Sequence, residues 1–208
     1  MVDGLADAFS FMHSRPTIVV LAAGQGRRFG APGHKLLQSL GPGTVLATTI
    51  RHAIETRWPV AVVTTAALAP TAAPWIATRD MVVLSDDEAE RGMGHSIAAG
   101  VAAHAASRGW LVLPGDMPLV QPSSMLAVGR ALAEHPVAYA QHHGRRGHPV
   151  GFAAELFSEL IALTGDEGAR RLIARYPAVP VDLDDPGVLL DVDTEADLAA
   201  ARAAAGVV

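Results

Sequence analysis

The residues able to do chemistry stand in clusters that directly follow short apolar runs. After Thr17–Ala22 (TIVVLA) the chain reads Ala23-Gly24-Gln25-Gly26-Arg27-Arg28-Phe29-Gly30, and Lys35 comes shortly after. Glycines let backbone N–H groups approach an anion closely, and Arg27, Arg28 and Lys35 bring cations within reach of the same loop. Together they suit a phosphate group, although a plain strand-to-helix turn with solvated arginines fits this stretch equally well. It is not the dinucleotide fingerprint: the third glycine falls one residue late, and the next apolar run ends in Thr64-Thr65 with no acid for a ribose hydroxyl. It is not a Walker loop either, because Lys35 follows His34 rather than glycine, and Leu36 stands where Ser or Thr would meet magnesium.

Acids occupy two comparable positions. Asp116 follows the run Trp110–Leu113 in Pro114-Gly115-Asp116-Met117-Pro118, where a carboxylate at a strand end can hold a hard cation or simply make a turn. Asp193, in Asp191-Val192-Asp193-Thr194-Glu195, offers a second carboxylate, in a stretch that also reads as a helix start. Arg91-Gly92-Met93-Gly94-His95-Ser96 likewise opens a helix. His142, His143 and His148 cluster around Arg145 and Arg146; zinc is a poor fit, since no carboxylate or cysteine sits at ligand spacing and the arginines repel a cation. In Gly165-Asp166-Glu167, Asp166 has the position of an N-cap. The chain presents no Ser-His-Asp or Cys-His arrangement.

The elements expected to carry these residues alternate. Unbroken apolar runs at Thr17–Ala22, Val60–Thr64, Met81–Leu84 and Trp110–Pro114 predict strands buried on both faces of a parallel sheet. Helices are predicted over 44–56, 71–78, 96–107, 122–134, 153–163, 167–175 and 195–204, the last capped by Thr194. Further strands are expected at 137–142, 179–183 and 188–192, with residues 143–149 as a loop. Such alternation gives right-handed βαβ units in one α/β domain, and ligands of open α/β sheets bind beyond the carboxyl ends of the strands. That is where the clusters fall.

The bulk composition narrows the class. With 208 residues, half of them apolar, a formal charge of −5 and no cysteine, the chain supports one ordinary core and excludes disulfides and thiolate metal sites. The acidic balance argues against nucleic acid as a partner, and no apolar run is long enough to span a membrane. The absence of cysteine is compatible with the cytoplasm, where the protein is expected. Residues 1–15 are expected to be a flexible arm that is not a signal peptide.

Taken in order, LAAGQGRRFG with Lys35, Gly92–Ser96, GDMP around Asp116, GHPVGF, Gly165–Arg171 and DVDTEADL at 191–198 resemble the motifs of the MobA/MocA-like nucleotidyltransferases, the molybdenum-cofactor branch of the enzymes that transfer NMP from an NTP and release pyrophosphate. The resemblance implies a mostly parallel, Rossmann-like sheet with helices on both faces, nucleotide-diphospho-sugar transferase-like, over residues 16–208. It implies nucleotide contacts from Leu21, Ala22, Ala23, Gly24, Gln25, Gly26, Arg27, Arg28, Lys35, Gly94 and Ser96, and catalysis by Arg28, Lys35 and Asp116. It further implies Mg²⁺ held by Asp116 and Asp193, and an acceptor bound by Arg145, Arg146, His148 and Asp166. Leu-Ala-Ala-Gly at 21–24 is similar to the cytidylyl enzymes, with the Ala23 methyl narrowing the base slot against a purine. The implied partners are CTP, a molybdopterin-type acceptor and a molybdoenzyme that receives the product. A guanylyltransferase, a transferase for another phosphorylated acceptor, and a non-catalytic nucleotide- or pterin-binding chaperone are the alternatives.

Overall fold

The computed structural model describes residues 15–26, 29–30 and 33–206. Arg27 and Arg28 lie outside the described residues, as does nearly all of the expected N-terminal arm. The strands are β1 (Thr17–Ala22), β2 (Ser39–Leu40), β3 (Gly43–Thr44), β4 (Val60–Thr65), β5 (Met81–Leu84), β6 (Gly109–Pro114), β7 (Val137–His142), β8 (Arg145–Ala153) and β9 (Ala178–Asp182). The helices are α1 (Val45–Glu55), α2 (Ala69–Ala72), α3 (Asp86–Ala89), α4 (Met93–Ala103), α5 (Pro122–Ala131), α6 (Phe157–Leu160), α7 (Arg170–Arg175) and α8 (Glu195–Ala204).

Seven strands form one sheet in the order β5-β4-β1-β6-β8-β7-β9, and β2 and β3 make a separate small hairpin. All pairings in the large sheet are parallel except those of β8, which runs antiparallel to both neighbours. The strand period of two sorts side chains into two apolar layers. From β1, Ile18, Val20 and Ala22 join the layer that holds Ile50 of α1, Met125 of α5 and Leu198 of α8. Val19 and the following Ala23 join the layer that holds Ile97 and Val101 of α4 and Leu172 of α7. Helices therefore cover both faces, as the unbroken β-branched runs require. Among the described residues no helix is long and apolar enough to cross a membrane.

The structure departs from expectation in four places. The anticipated loop at 143–149 is reduced to a two-residue turn, His143 (φ 48°) and Gly144 (φ 75°), the left-handed pair that tight hairpins favour. Strand β8 begins at Arg145, and fully buried Trp110 and Phe152 fix its register as a directly opposed cross-strand aromatic pair. The helix expected over 153–163 is shorter: a 3₁₀ turn, Ala154–Leu156, follows β8 and runs into α6, which ends at Leu160. The strand expected at 188–192 is a 3₁₀ turn, Pro186–Leu189, which buries Val188 in the core instead of pairing it. The helix expected over 71–78 ends early as α2, with Pro74 beyond it.

This topology places the site. Because β8 runs against β6 with Val112 opposite Val150, the start of β8 projects beyond the carboxyl end of β6. Arg145, Arg146 and His148 thus stand at the same sheet edge as the loops that follow β1 and β6.

Candidate active site

The loop after β1 is shaped by one glycine and one histidine. Gly26 adopts φ +62°, and a Cβ there would lie 3.3 Å from His34 Nε2 and 3.4 Å from Lys35 Cγ. A side chain would be strained both by the backbone and by this contact. His34 caps the Lys35–Leu37 turn, its Nδ1 accepting the Leu36 N–H at 3.2 Å. Its Nε2 lies 2.8 Å from the Gly24 carbonyl, which requires the tautomer with the proton on Nε2. One imidazole therefore ties the glycine loop to the segment that carries Lys35. Nothing local in the sequence marks His34 for this role, since histidine is not among the usual N-cap residues.

The two acids are brought together by backbone bonds. The Gly115 N–H donates to the Leu21 carbonyl at 2.8 Å, docking the Asp116 turn on β1. The Val192 N–H donates to the Asp116 carbonyl at 2.9 Å, bringing the near-C-terminal segment alongside. Thr194 and Asp197 form the capping box of α8, with Asp197 Oδ2 accepting the N–H groups of Asp193 at 3.2 Å and Thr194 at 2.8 Å. The cap is made without the Asp193 carboxylate, which instead meets Lys35. Lys35 Nζ donates at 2.5 Å to Asp116 Oδ2 and at 2.5 Å to Asp193 Oδ1. Burial alone would lower the Lys35 pKa; the charges and hydrogen bonds of Asp116 and Asp193 outweigh it and hold the pKa above the usual lysine value. The other Asp116 oxygen, Oδ1, is buried with no hydrogen-bond partner among the described residues.

These groups open on a cavity of about 500 Å³. Of the expected nucleotide residues, Leu21, Ala23, Gly24, Gln25, Gly26, Lys35 and Ser96 line it, together with Asp116 and Asp193. Asp166, expected on the acceptor side, lines this cavity too. Met93, in the helix-start segment singled out from the sequence, lines it as well, and so does Glu90, which sequence reasoning passed over; Gln25 Nε2 donates to Glu90 Oε1 at 2.9 Å. A solvated Glu in an acidic helical stretch carries no signal of its own; only the fold brings it to the loop after β1.

Of the expected nucleotide residues that are described, Ala22 and Gly94 do not line the cavity. Ala22 points into the opposite apolar layer, as strand alternation dictates. Gly94 is buried where α4 meets the 164–165 backbone, its N–H donating to the Gly165 carbonyl at 2.8 Å. A Cβ on Gly94 would lie 2.8 Å from the Thr164 carbonyl oxygen, so its role is close packing. Gly94→Ala is therefore expected to destabilise the fold by about 1–3 kcal/mol, as overpacked sites do. A melting temperature equal to wild type would show that this contact has room to relax.

Arg145, Arg146 and His148 stand outside the cavity at the shared sheet edge. The Arg146 guanidinium carbon lies 5.3 Å from the Tyr139 ring centroid. Burial, reinforced by the Arg146 charge and opposed by Asp191, lowers the His148 pKa to about 4. His148 is therefore neutral at pH 7 and can offer a phosphate an N–H but no charge, which leaves Arg145 and Arg146 as the cations of this group.

The sequence profile of the MobA-like NTP transferase domain matches residues 18–180. The chain belongs to that family. A relative, the purine catabolism protein PucB of Bacillus subtilis (strain 168), is 31% identical over 189 residues, 85% of this chain and 90% of its own. The crystal structure of Rv0371c from Mycobacterium tuberculosis H37Rv is 28% identical with a TM-score of 0.77, covering 91% of this chain and 99% of that one. A structure of Rv0371c in complex with manganese has a TM-score of 0.75 at 26% identity, over 91% of this chain and 99% of that one. The MobA-like domain thus has the family and fold of a nucleotidyltransferase, with its glycine loop, paired acids and cavity at the carboxyl edge of the sheet.

Proposed function

We propose that this MobA-like domain transfers CMP from CTP to the phosphate of a molybdopterin-type acceptor carrying molybdenum, releasing pyrophosphate with the help of Mg²⁺. The observation that carries the reading is the meeting of Lys35, Asp116 and Asp193 within 2.5 Å contacts at a cavity lined by Gly24–Gly26. The donor set fits a hard divalent cation. Asp116 presents a buried oxygen without a hydrogen-bond partner, Asp193 adds a second carboxylate, and phosphate and water oxygens commonly complete the coordination of Mg²⁺. Bound there, the metal would neutralise charge that develops on the transferring phosphoryl group.

The chain's own residues do the rest by position and charge. Backbone N–H groups of the glycine loop face the triphosphate. Lys35 supplies a permanent cation to the leaving pyrophosphate, and Arg27 and Arg28 belong to the same loop. An acceptor phosphate oxygen attacks the α-phosphorus as the bond to the β-phosphate oxygen breaks. A phosphate monoester is already anionic near pH 7, so no general base is needed. Arg145 and Arg146, beyond the carboxyl end of β6, hold the acceptor's phosphate.

The base is assigned through Ala23, which is 3% exposed and lines the cavity. Its methyl narrows the slot against a purine. Ala23→Gly is expected to relax a CTP preference by no more than ~1–3 kcal/mol, the worth of a small apolar group in a pocket, without reversing it. Calorimetric titration of CTP and GTP on wild type and variant measures this, and tighter GTP binding by wild type would replace cytidylyl with guanylyl transfer. Incubation with each NTP, Mg²⁺ and molybdopterin, followed by mass analysis, tests the whole reading. A cytidylylated product supports it; a product from another nucleotide, or none from CTP, overturns the substrate assignment.

A further inference from the structure

Lys35 stands where the metal reading needs a different cation. Its Nζ lies 2.5 Å from Asp116 Oδ2 and 2.5 Å from Asp193 Oδ1, with side-chain exposures of only 11%, 16% and 16% for the three residues. A Mg²⁺ ion shared by those oxygens would sit about 2.0–2.1 Å from each. It would take the ammonium's own place, and the two cations would repel one another there. The ammonium has somewhere else to go. It ends a flexible four-carbon stem, the backbone beneath it is fixed by the His34 cap rather than by the ion pair, and Lys35 lines the same cavity as Gly24–Gly26.

We infer that Lys35 is a nucleotide-operated gate on the metal site. Without nucleotide, its ammonium holds the Asp116–Asp193 pair and keeps divalent ions out. An arriving triphosphate draws the ammonium onto its own oxygens and frees the carboxylates for the metal that accompanies it. Metal and nucleotide then bind with positive coupling, and the coupling is reciprocal. The gate rests on the reading of Asp116 and Asp193 as the metal ligands. It adds that one lysine serves two anionic partners in turn, so the order of assembly follows from the ion pair of Lys35 with Asp116 and Asp193.

Mn²⁺ binding followed by electron paramagnetic resonance tests the gate without any turnover. The proteins are the full-length wild type, Lys35→Met, Asp116→Asn and the double variant, each checked for folding by circular dichroism. Without nucleotide, Lys35→Met is expected to bind Mn²⁺ at least tenfold more tightly than wild type, since charge-assisted contacts of this kind are worth roughly ten- to a hundredfold, and the double variant to lose the gain. Saturating α,β-methylene-CTP, corrected for the Mn²⁺ it holds in solution, is expected to raise wild-type affinity tenfold or more and that of Lys35→Met little. Equal Mn²⁺ affinity in wild type and Lys35→Met, weakened in both by Asp116→Asn, overturns the gate and leaves the metal assignment standing. Mn²⁺ binding that ignores Asp116→Asn even with the nucleotide analogue overturns the metal assignment itself. Should Lys35→Met fail to fold, the wild-type arm decides alone: an analogue that leaves Mn²⁺ affinity unchanged rules the gate out.

Discussion

Asp116→Asn is expected to stop nucleotidyl transfer while the protein melts close to the wild-type temperature. The side chain is removed from the chemistry and not from the scaffold, because the Asp116 turn is held through the backbone, by the Gly115 N–H on Leu21 and the Val192 N–H on the Asp116 carbonyl. An amide keeps the shape but loses the charge that a hard cation needs. Metal-assisted charge stabilisation is worth several kcal/mol, so the rate should fall by roughly a thousandfold or more at about 1.4 kcal/mol per decade. Lys35 keeps Asp193 as a partner in this variant, so the loop does not collapse. Steady-state rates at saturating Mg²⁺, beside a thermal melt, make the measurement, and a rate within a few-fold of wild type would remove Asp116 from the metal site.

Lys35→Met should separate the phosphates from the rest of the nucleotide. At saturating Mg²⁺ its affinity for CTP is expected to fall by roughly ten- to a hundredfold, the worth of a charge-assisted contact, while affinity for cytidine changes little. The pKa of Lys35 is raised, so the ammonium is present throughout the physiological range, and its loss is a loss of charge at every working pH. If CTP and cytidine weaken equally, Lys35 acts by holding the Asp116–Asp193 pair in place and not by touching phosphate.

The elements that carry the nucleotide side of the site were legible in the sequence because each has a simple physical signature. β1, β4 and β6 are apolar runs buried on both faces, β5 is a shorter apolar run at the sheet edge with Val83 exposed, and the glycine loop and GDMP turn follow β1 and β6. Strand β8 was hidden by its own residues. Arg145-Arg146-Gly147-His148-Pro149 reads as a turn, since proline removes a ladder donor and glycine weakens a strand. The structure accommodates both where the pairing of β7 and β8 shifts register between Tyr139 and Gln141, so that Pro149 falls at an irregularity and not in the regular ladder. The segment is a strand because it pairs with β7 across the His143-Gly144 turn and with β6 through the long-range match of Trp110 with Phe152.

Within the site, proximity along the chain misled in two cases. Ala22 lies inside a matched motif, but alternation along β1 turns it away from its neighbours Leu21 and Ala23. Gly94 lies inside another, and its lack of a side chain serves helix packing against residues 164–165. Asp166 went the opposite way: it is remote in sequence from the loop after β1, yet lines the same cavity. The ion pairs of Lys35 join residues 81 and 158 positions apart, a separation that no local pattern resolves.

Pyrophosphate release is the measurement that meets the central claim most directly. The protein is mixed with CTP, Mg²⁺ and molybdopterin, and pyrophosphate is followed together with the mass of the pterin. One pyrophosphate per cytidylylated acceptor, strictly dependent on the acceptor and absent with Asp116→Asn, is the predicted result. CTP bound in the cavity with no pyrophosphate released and no change in acceptor mass would contradict it, and would make the chain a nucleotide-binding carrier.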